Sequence, residues 1–172
     1  MVEQAPYEVI KRIGKVEIRQ YPELVLATVS GTQDDPSFGI LFNYITGANS
    51  SQGKISMTAP VVSSEKIKMT APVVSGDRFF TFVMPSSFTM DTIPKPDDHR
   101  IDIHLQPARR FGVLRFSGRT NPKLVKQKGT ELIGVLAESG LKTRGDIFLM
   151  RYNSPFAPGF MRRNEVGIEI VD

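Results

Sequence analysis

The sequence predicts an α+β fold in which antiparallel strands form most of the chain and two helices flank them. Three observations support this prediction. Apolar and polar residues alternate with a period of two through many segments, which is the pattern of half-buried strands. Apolar residues at helical spacing follow Pro36 and Pro122. The order of elements in the first half of the chain also returns in the second half.

The two halves share a strand, a turn containing proline, a strand that ends in Ser-Gly, a helix and further strands. The matching pairs are Ser30-Gly31 with Ser117-Gly118 and Asp35-Pro36 with Asn121-Pro122. Aspartate or asparagine suits a helix N-cap, and proline suits the first helical position. The pattern predicts two β-β-α-β-β halves related by a pseudo-twofold axis, each with an antiparallel sheet covered by one helix.

We expect the half-repeats to span about 7–88 and 99–172. The segment 89–99 between them contains Pro94 and Pro96 and has no strand or helix periodicity. Neither half has the apolar content to fold alone, so the halves are expected to pack into one barrel-like domain over residues 1–172.

In the first half, strands are predicted over 7–21, with a turn at Gly14-Lys15, over 24–30 and over 79–84. Between them the sequence KISMTAPVVS at 54–63 returns as KIKMTAPVVS at 66–75. Each copy alternates, so Ile55, Met57, Ala59 and Val61 are expected on one face of a strand. Proline removes a ladder donor, which favours a sheet edge, a bulge or a strand end there.

In the second half, strands are predicted over 101–105, 111–117, 146–152 and 166–170. The helix that begins at Pro122 is expected to bury Leu124, Val125, Leu132, Ile133 and Leu136 and to end before Gly140. Gly129 lies on the same face, which suggests close packing against a sheet. A loop rich in proline and aromatic residues occupies 153–161.

The composition limits the possible functions. The chain has 172 residues, a formal charge of +4 and no cysteine, which excludes disulfides, thiolate catalysis and cysteine-ligated metals. No apolar run is long enough to span a membrane, and no secretory signal is evident, so a cytoplasmic location is predicted. Residues 109–128 carry seven basic residues and no acid. The segment matches no nucleic-acid-binding motif, so a solvated basic surface is the favoured interpretation.

The sequence favours binding over catalysis. His99 and His104 are expected at the surface, and no nucleophile–base motif, phosphate-binding loop or metal motif occurs. Among the acids, Glu165 is the most notable because it follows two arginines at the edge of a strand. Seven methionines and eleven phenylalanines would suit a large flat ligand.

These apolar residues divide into two groups. The methionines on strands, Met57, Met69 and Met84, are expected in the core. The large apolar residues of the 153–161 loop could either cap the core or form the wall of a pocket, and the sequence leaves both possibilities open. They are Phe156, Phe160 and Met161.

Taken together, these motifs resemble the SOUL/haem-binding protein family. The resemblance is carried in order by YEVIK at 7–11, VEIRQYP at 16–22, KISMTAPV at 54–61, FVMP at 82–85 and RRNEV at 162–166. It implies a distorted antiparallel β-barrel with two flanking helices, and it extends to the ligand-binding domains of bacterial multidrug-sensing regulators. The family usually has the Met-Thr-x-Pro-Val motif once, whereas this chain has it twice.

The resemblance implies non-catalytic binding or carriage of haem or a related planar tetrapyrrole in a shallow hydrophobic pocket. Its walls would come from the first helix and the 153–161 loop, and cations would meet the propionates. The implied residues are Phe38, Leu41, Phe42, Ile45, Phe156, Phe160, Met161, Lys54 and Arg162. Arg162 and Arg163 could instead form a structural ion pair with Glu165. Met57 or Met69 would be at most a weak axial ligand.

Two alternatives use Glu165 differently. A sensor or scavenger of hydrophobic cations would need a buried carboxylate, for which Glu165 is the first candidate. A hydrolase on the same fold would need it as an acid and is less favoured, because no nucleophile–base pair is evident.

Overall fold

A computed structural model describes residues 3–31, 36–64, 78–153 and 157–172. The second copy of the doubled motif, Asp35, Met69 and Phe156 lie outside these residues. The described elements, in chain order, are β1 (Glu3–Gln4), β2 (Glu8–Ile13), β3 (Val16–Tyr21), β4 (Leu24–Gly31), α1 (Pro36–Ile45), β5 (Thr58–Ser64), β6 (Arg78–Val83), β7 (Ile101–Gln106), β8 (Arg109–Ser117), α2 (Pro122–Glu138), β9 (Lys142–Arg151), the 3-10 helix η1 (Gly159–Met161) and β10 (Arg163–Val171).

These elements form two compact units. Unit 1 holds the described residues of Met1–Ala5, Glu23–Ser63 and Val74–Pro107, and unit 2 holds those of Pro6–Pro22, Ser64–Val73 and Ala108–Asp172. Each unit has one helix and one largely antiparallel sheet. The predicted α+β class with two helices and antiparallel strands is therefore confirmed.

Unit 2 is a five-stranded antiparallel sheet in the order β2-β3-β8-β10-β9. Helix α2 covers one face and buries Val125, Leu132 and Leu136 against it. Alternation in β3 and β10 puts Val16, Ile18, Val166, Ile168 and Ile170 into this core. The residues between them in sequence therefore belong to the opposite face.

Unit 1 has the strand order β5-β6-β4-β7, and β1 pairs with β5 in parallel. Helix α1 buries Leu41, Tyr44 and Ile45 in a core that also contains Val25 and Phe82. The two units have separate cores, each made from its own helix and sheet.

The strand orders of the two units can be compared. The order β3-β8-β10-β9 in unit 2 corresponds to β7-β4-β6-β5 in unit 1. The first strand of each set comes from the half-repeat that does not supply the other three strands. In unit 2 this strand is β3, and in unit 1 it is β7. Among the described strands of each unit, the first and last do not pair with each other, so each sheet is open. A duplication and a single barrel formed by both halves stay predictions.

The segment 89–99 lies inside unit 1 and does not separate the compact units. Tyr44 donates its hydroxyl hydrogen to the Pro94 carbonyl at 2.6 Å, and the Ser50 amide donates to the Lys95 carbonyl at 2.8 Å. These bonds attach the proline-rich segment to α1 and the loop after it. Among the described residues, the chain passes from one unit to the other after Ala5, Pro22, Ser63 and Pro107.

The first copy of the doubled motif is less regular than its alternation predicts. Strand β5 begins only at Thr58, and both Thr58 and Ala59 are buried. The register with β6 shifts between Thr58 and Val61, and the Ala59–Pro60 peptide is cis. The register shift agrees with a bulge, one of the three features that the proline predicted alongside an edge and a strand end. The strict alternation is wrong, because the adjacent Thr58 and Ala59 are both buried.

Helix α2 begins as its sequence predicts. The Asn121 side chain accepts a hydrogen bond from the Leu124 amide at 2.9 Å, Pro122 opens the helix, and Gly140 has a φ of 73° just beyond its end. Replacing Asn121 by alanine is expected to lower the free energy of unfolding by about 1 kcal/mol, because an N-terminal amide loses its acceptor. Denaturant unfolding measures the change. Asn121→Asp keeps an acceptor and should stay near wild type, and an equal loss in both variants would contradict the capping role.

Candidate functional site

Helix α1 presents two aromatic side chains at the surface of unit 1. Phe38 is 43% exposed and Phe42 is 45% exposed. Their ring centroids are 6.1 Å apart and the planes differ by 14°, while Phe38 packs edge-on against the buried Phe82 at 5.4 Å. Leu41 and Ile45, predicted as pocket walls, lie in the core instead. We call Phe38 and Phe42 the α1 aromatic pair.

The predicted cation Lys54 lies near the same helix. The Ile55 amide donates to the Ile45 carbonyl at 2.7 Å, which places the segment around Lys54 beside the C-terminal end of α1. Lys54 is exposed, and Met57 is partly buried against the core of unit 1. Met84 is buried in that core, as predicted.

The other predicted contacts belong to unit 2. Phe160 and Met161 lie on η1 and are 80% and 63% exposed, so the interpretation that they cap a core is wrong. The Arg162 Nε donates to the Ala157 carbonyl at 2.9 Å. Because these residues and α1 are in different units, their combination into one pocket stays a prediction.

A buried ion pair lies on the face of the unit 2 sheet opposite α2. Both nitrogens at the end of the Arg19 guanidinium donate to the Glu165 carboxylate, at 2.8 and 2.5 Å, and both side chains are fully buried. The two residues are 146 positions apart in sequence. Strands β3 and β10 flank β8, where their opposite residues are Phe111 and Arg115, so both side chains are on one face.

Further charged and aromatic side chains surround this pair. Arg19 also donates to Glu17 at 2.8 Å and to the Tyr21 hydroxyl at 3.1 Å, and its guanidinium carbon lies 4.0 Å from the centre of the Tyr7 ring. Guanidinium groups commonly stack on aromatic faces in this way. All of these residues come from the first part of unit 2.

A second arginine completes the arrangement. Arg163 donates to Glu165 at 3.0 Å and to the Tyr7 hydroxyl at 3.0 Å, and its guanidinium carbon is 4.1 Å from the centre of the Tyr152 ring. This confirms the predicted structural ion pair between Arg163 and Glu165. We call this set, Glu17, Arg19, Arg163, Glu165, Tyr7, Tyr21 and Tyr152, the buried charge cluster.

The two guanidinium groups keep Glu165 ionised. Burial alone would raise the pKa of Glu165, but the hydrogen bonds and charge of Arg19, with help from Tyr152 and Arg163, lower it below the usual 4.5. Burial, with the charge of Glu165, raises the pKa of Tyr152. A carboxylate held in this way is a poor proton acceptor near neutral pH.

Glu165 was identified from the sequence, whereas Arg19 and the tyrosines were not. Strand β10 begins at Arg163, earlier than predicted, because Arg163–Glu165 pair with Arg115–Ser117 of β8. The available signal was the alternation of β3, which places Glu17, Arg19 and Tyr21 on one face. That pattern could not distinguish a solvent-facing row from a buried one.

Within the described residues, no group of three or more histidine, aspartate or glutamate side chains is placed to hold a metal ion. No helix in the part of the chain that the structure describes is long and apolar enough to cross a membrane.

The α+β fold, with antiparallel sheets and one helix on each, is also seen in several solved structures that share 10–13% sequence identity with the chain. A chain of the EcmrR–DNA complex matches with a TM-score of 0.66 at 12% identity over 90% of this chain, which spans 56% of that chain. A hydrolase from Listeria innocua matches with a TM-score of 0.59 at 13% identity over 94% of both chains. SAV2435 bound to tetraphenylphosphonium matches with a TM-score of 0.51 at 10% identity over 91% of this chain and 93% of that chain. At these identities the similarity establishes the fold alone.

The family model for SOUL heme-binding protein matches residues 2–169. The chain belongs to the SOUL heme-binding protein family. No curated protein sequence matches it significantly.

Proposed function

We propose that the protein binds haem or a related planar tetrapyrrole without catalysing a reaction, and that it acts as a carrier in the cytoplasm. The main support is the α1 aromatic pair, considered with the family. Two nearly parallel phenyl rings, each nearly half exposed, offer apolar aromatic surface on which a planar ligand can stack. The edge contact of Phe38 with Phe82 supports the ring from beneath.

Lys54, near the C-terminal end of α1, is the proposed cation. A haem propionate needs a cation at the rim of the pocket, and an exposed lysine beside the end of α1 can reach one without being desolvated. Arg162, Phe156, Phe160 and Met161 remain proposed contacts from the resemblance. No axial ligand is proposed, since Met57 is partly occupied in packing against the core.

The test is a titration of the purified protein with haemin, followed at the Soret band. Replacing Phe38 and Phe42 together by alanine should weaken binding by roughly tenfold or more, because burying an aromatic side chain is worth about 1.5–3 kcal/mol. Leu105→Ala, at a residue of unit 1 that is also 45% exposed, is the matched control and should bind as wild type. Circular dichroism checks that both variants remain folded.

An unchanged affinity in the double variant, or the absence of a Soret shift in the wild type, would remove the support for this proposal. If the double variant unfolds, the rings are part of the core and the surface interpretation fails.

The hydrophobic-cation alternative is weakened by the buried charge cluster. A cation at Glu165 would have to displace Arg19 or Arg163, which already neutralise the carboxylate. The hydrolase alternative would need Glu165 as an acid, but the lowered pKa keeps the carboxyl ionised near neutral pH, so it has no proton to donate. Titration with tetraphenylphosphonium separates the cases: binding that is lost in Glu165→Gln, with no haemin binding, would favour the cation site.

A further inference from the structure

The helix η1 carries the two most exposed large apolar side chains among the described residues, Phe160 and Met161. Their exposure does not come from a loose backbone. The Met161 amide donates to the Pro158 carbonyl at 2.9 Å, and the Arg162 amide donates to the Gly159 carbonyl at 3.1 Å. The Arg163 amide donates to the Asn153 side chain at 2.6 Å. The turn is therefore held with its apolar side chains outward.

The surroundings of η1 are basic. A Cβ atom added to Gly159 would lie 3.2 Å from Cγ of Arg119, so the Arg119 side chain packs directly across the turn. The Gly118 amide faces the Arg162 carbonyl at 3.4 Å, which brings the connection between β8 and α2 beside η1. Arg119 is exposed, and the exposed Lys123 lies in the first turn of α2.

In the sequence, basic residues outnumber acids on both sides of this contact. Residues 109–128 hold seven basic residues and no acid, and residues 147–164 hold three arginines and no acid. The first acid after η1 is Glu165, which is fully buried and already paired with Arg19. Arg109, Arg110 and Lys128 pair with Glu169, Asp172 and Glu131. Among the described residues, no acid forms a salt bridge with Arg119 or Lys123.

We propose that Phe160 and Met161, with Arg119 and Lys123, form a surface that docks reversibly on an anionic lipid bilayer. Aromatic and thioether side chains insert into the boundary between headgroups and acyl chains, while cations above them pair with lipid phosphates and carboxylates. A nucleic acid would use the cations but would give no apolar environment to Met161. The combination of both features at one turn therefore favours a membrane surface.

The experiment measures sedimentation of the full-length protein with vesicles. One set contains equal parts phosphatidylcholine and phosphatidylserine, and the other contains phosphatidylcholine alone. Wild type should sediment with the anionic vesicles and remain in solution with the neutral ones, and added salt should weaken binding. The variant Phe160→Ser/Met161→Ser and the variant Arg119→Gln/Lys123→Gln should each lose about tenfold in affinity or more.

Two controls match these variants. Met90→Ser removes an apolar side chain that is 44% exposed in unit 1, and Lys11→Gln/Lys15→Gln removes two exposed charges from unit 2. Both should bind anionic vesicles as wild type does. All variants change exposed side chains, so their circular dichroism spectra and melting temperatures should stay unchanged.

Several results would overturn the proposal. They are the absence of wild-type binding to anionic vesicles, binding retained by either test variant, and an equal loss in the controls. If duplex DNA displaces the protein from the vesicles, and added salt does not weaken vesicle binding, the basic surface would be assigned to nucleic acid. A test variant that loses haemin binding but keeps vesicle binding would assign Phe160 and Met161 to a haem pocket.

Discussion

Replacing Glu165 by leucine is expected to lower the free energy of unfolding by about 3–5 kcal/mol, the usual cost of removing one partner from a buried ion pair. The variant leaves the guanidinium of Arg19 fully buried and that of Arg163 largely buried, both without their shared carboxylate. Burial prevents water from replacing the lost interaction. Urea unfolding of the two proteins measures the difference.

The matched control is Glu169→Leu, on the same strand. Glu169 pairs with Arg144, whose side chain is 64% exposed, so water can solvate that arginine after the substitution. The loss should be much smaller than for Glu165→Leu. Equal losses in the two variants would show that Arg19 finds another partner or becomes solvated, and the buried charge cluster would then not be a main source of stability.

The same pair predicts a dependence on pH. The pKa of Glu165 is lowered in the folded state from its usual 4.5. Its contribution to stability is therefore complete above that pH and is lost as the pH falls through the folded-state pKa. The difference between wild type and Glu165→Leu should be largest near neutral pH and should narrow in acid.

Replacing Leu136 by alanine is expected to lower the free energy of unfolding by about 2–5 kcal/mol, because Leu136 is fully buried where α2 meets the sheet. This contact is close: a Cβ atom added to Gly112 of β8 would lie 2.7 Å from Cδ1 of Leu136. Gly112→Ala alone is therefore expected to overpack the core and to cost about 1–3 kcal/mol.

The double variant Gly112→Ala/Leu136→Ala tests whether the side chains at these two positions occupy the same volume. Alanine at position 136 removes the atoms that a methyl group at position 112 would meet, so the combined loss should be smaller than the sum of the two. Ile133→Ala, on the same helix but only partly buried, should cost less than Leu136→Ala. Simple additivity in the double variant would contradict the contact between Gly112 and Leu136.

Local features of the fold were predictable because their causes lie within a few residues. The cap at Asn121, the proline after it and the glycine beyond the end of α2 define that helix without reference to the rest of the chain. The Gly14-Lys15 turn likewise separates β2 from β3. The bulge in β5 was one of three outcomes that Pro60 allowed, and only its partner strand decided among them.

The candidate sites were harder to predict because they depend on distant neighbours. The apolar spacing of α1 identified Phe38 and Leu41 equally, but only the packed helix shows that Leu41 faces the core. From its own strand, Arg19 would be predicted at the surface. Only the strand order β3-β8-β10 brings Glu165 within reach of its side chain. Its partner is 146 residues away, which no local pattern specifies.

The strand order also determines when each unit can form during synthesis. Every described residue of unit 1 precedes Ala108, so its core is complete in the nascent chain before β8 is made. The sheet of unit 2 forms later, because β2 and β3 are made before unit 1, whereas their partner strands β8 and β10 are made after it. The outer edge of β3 in the early hairpin is thus unpaired until β8 is made. The exposed charges of the hairpin, including Lys11 and Arg12, help to keep it soluble until β8 pairs with β3.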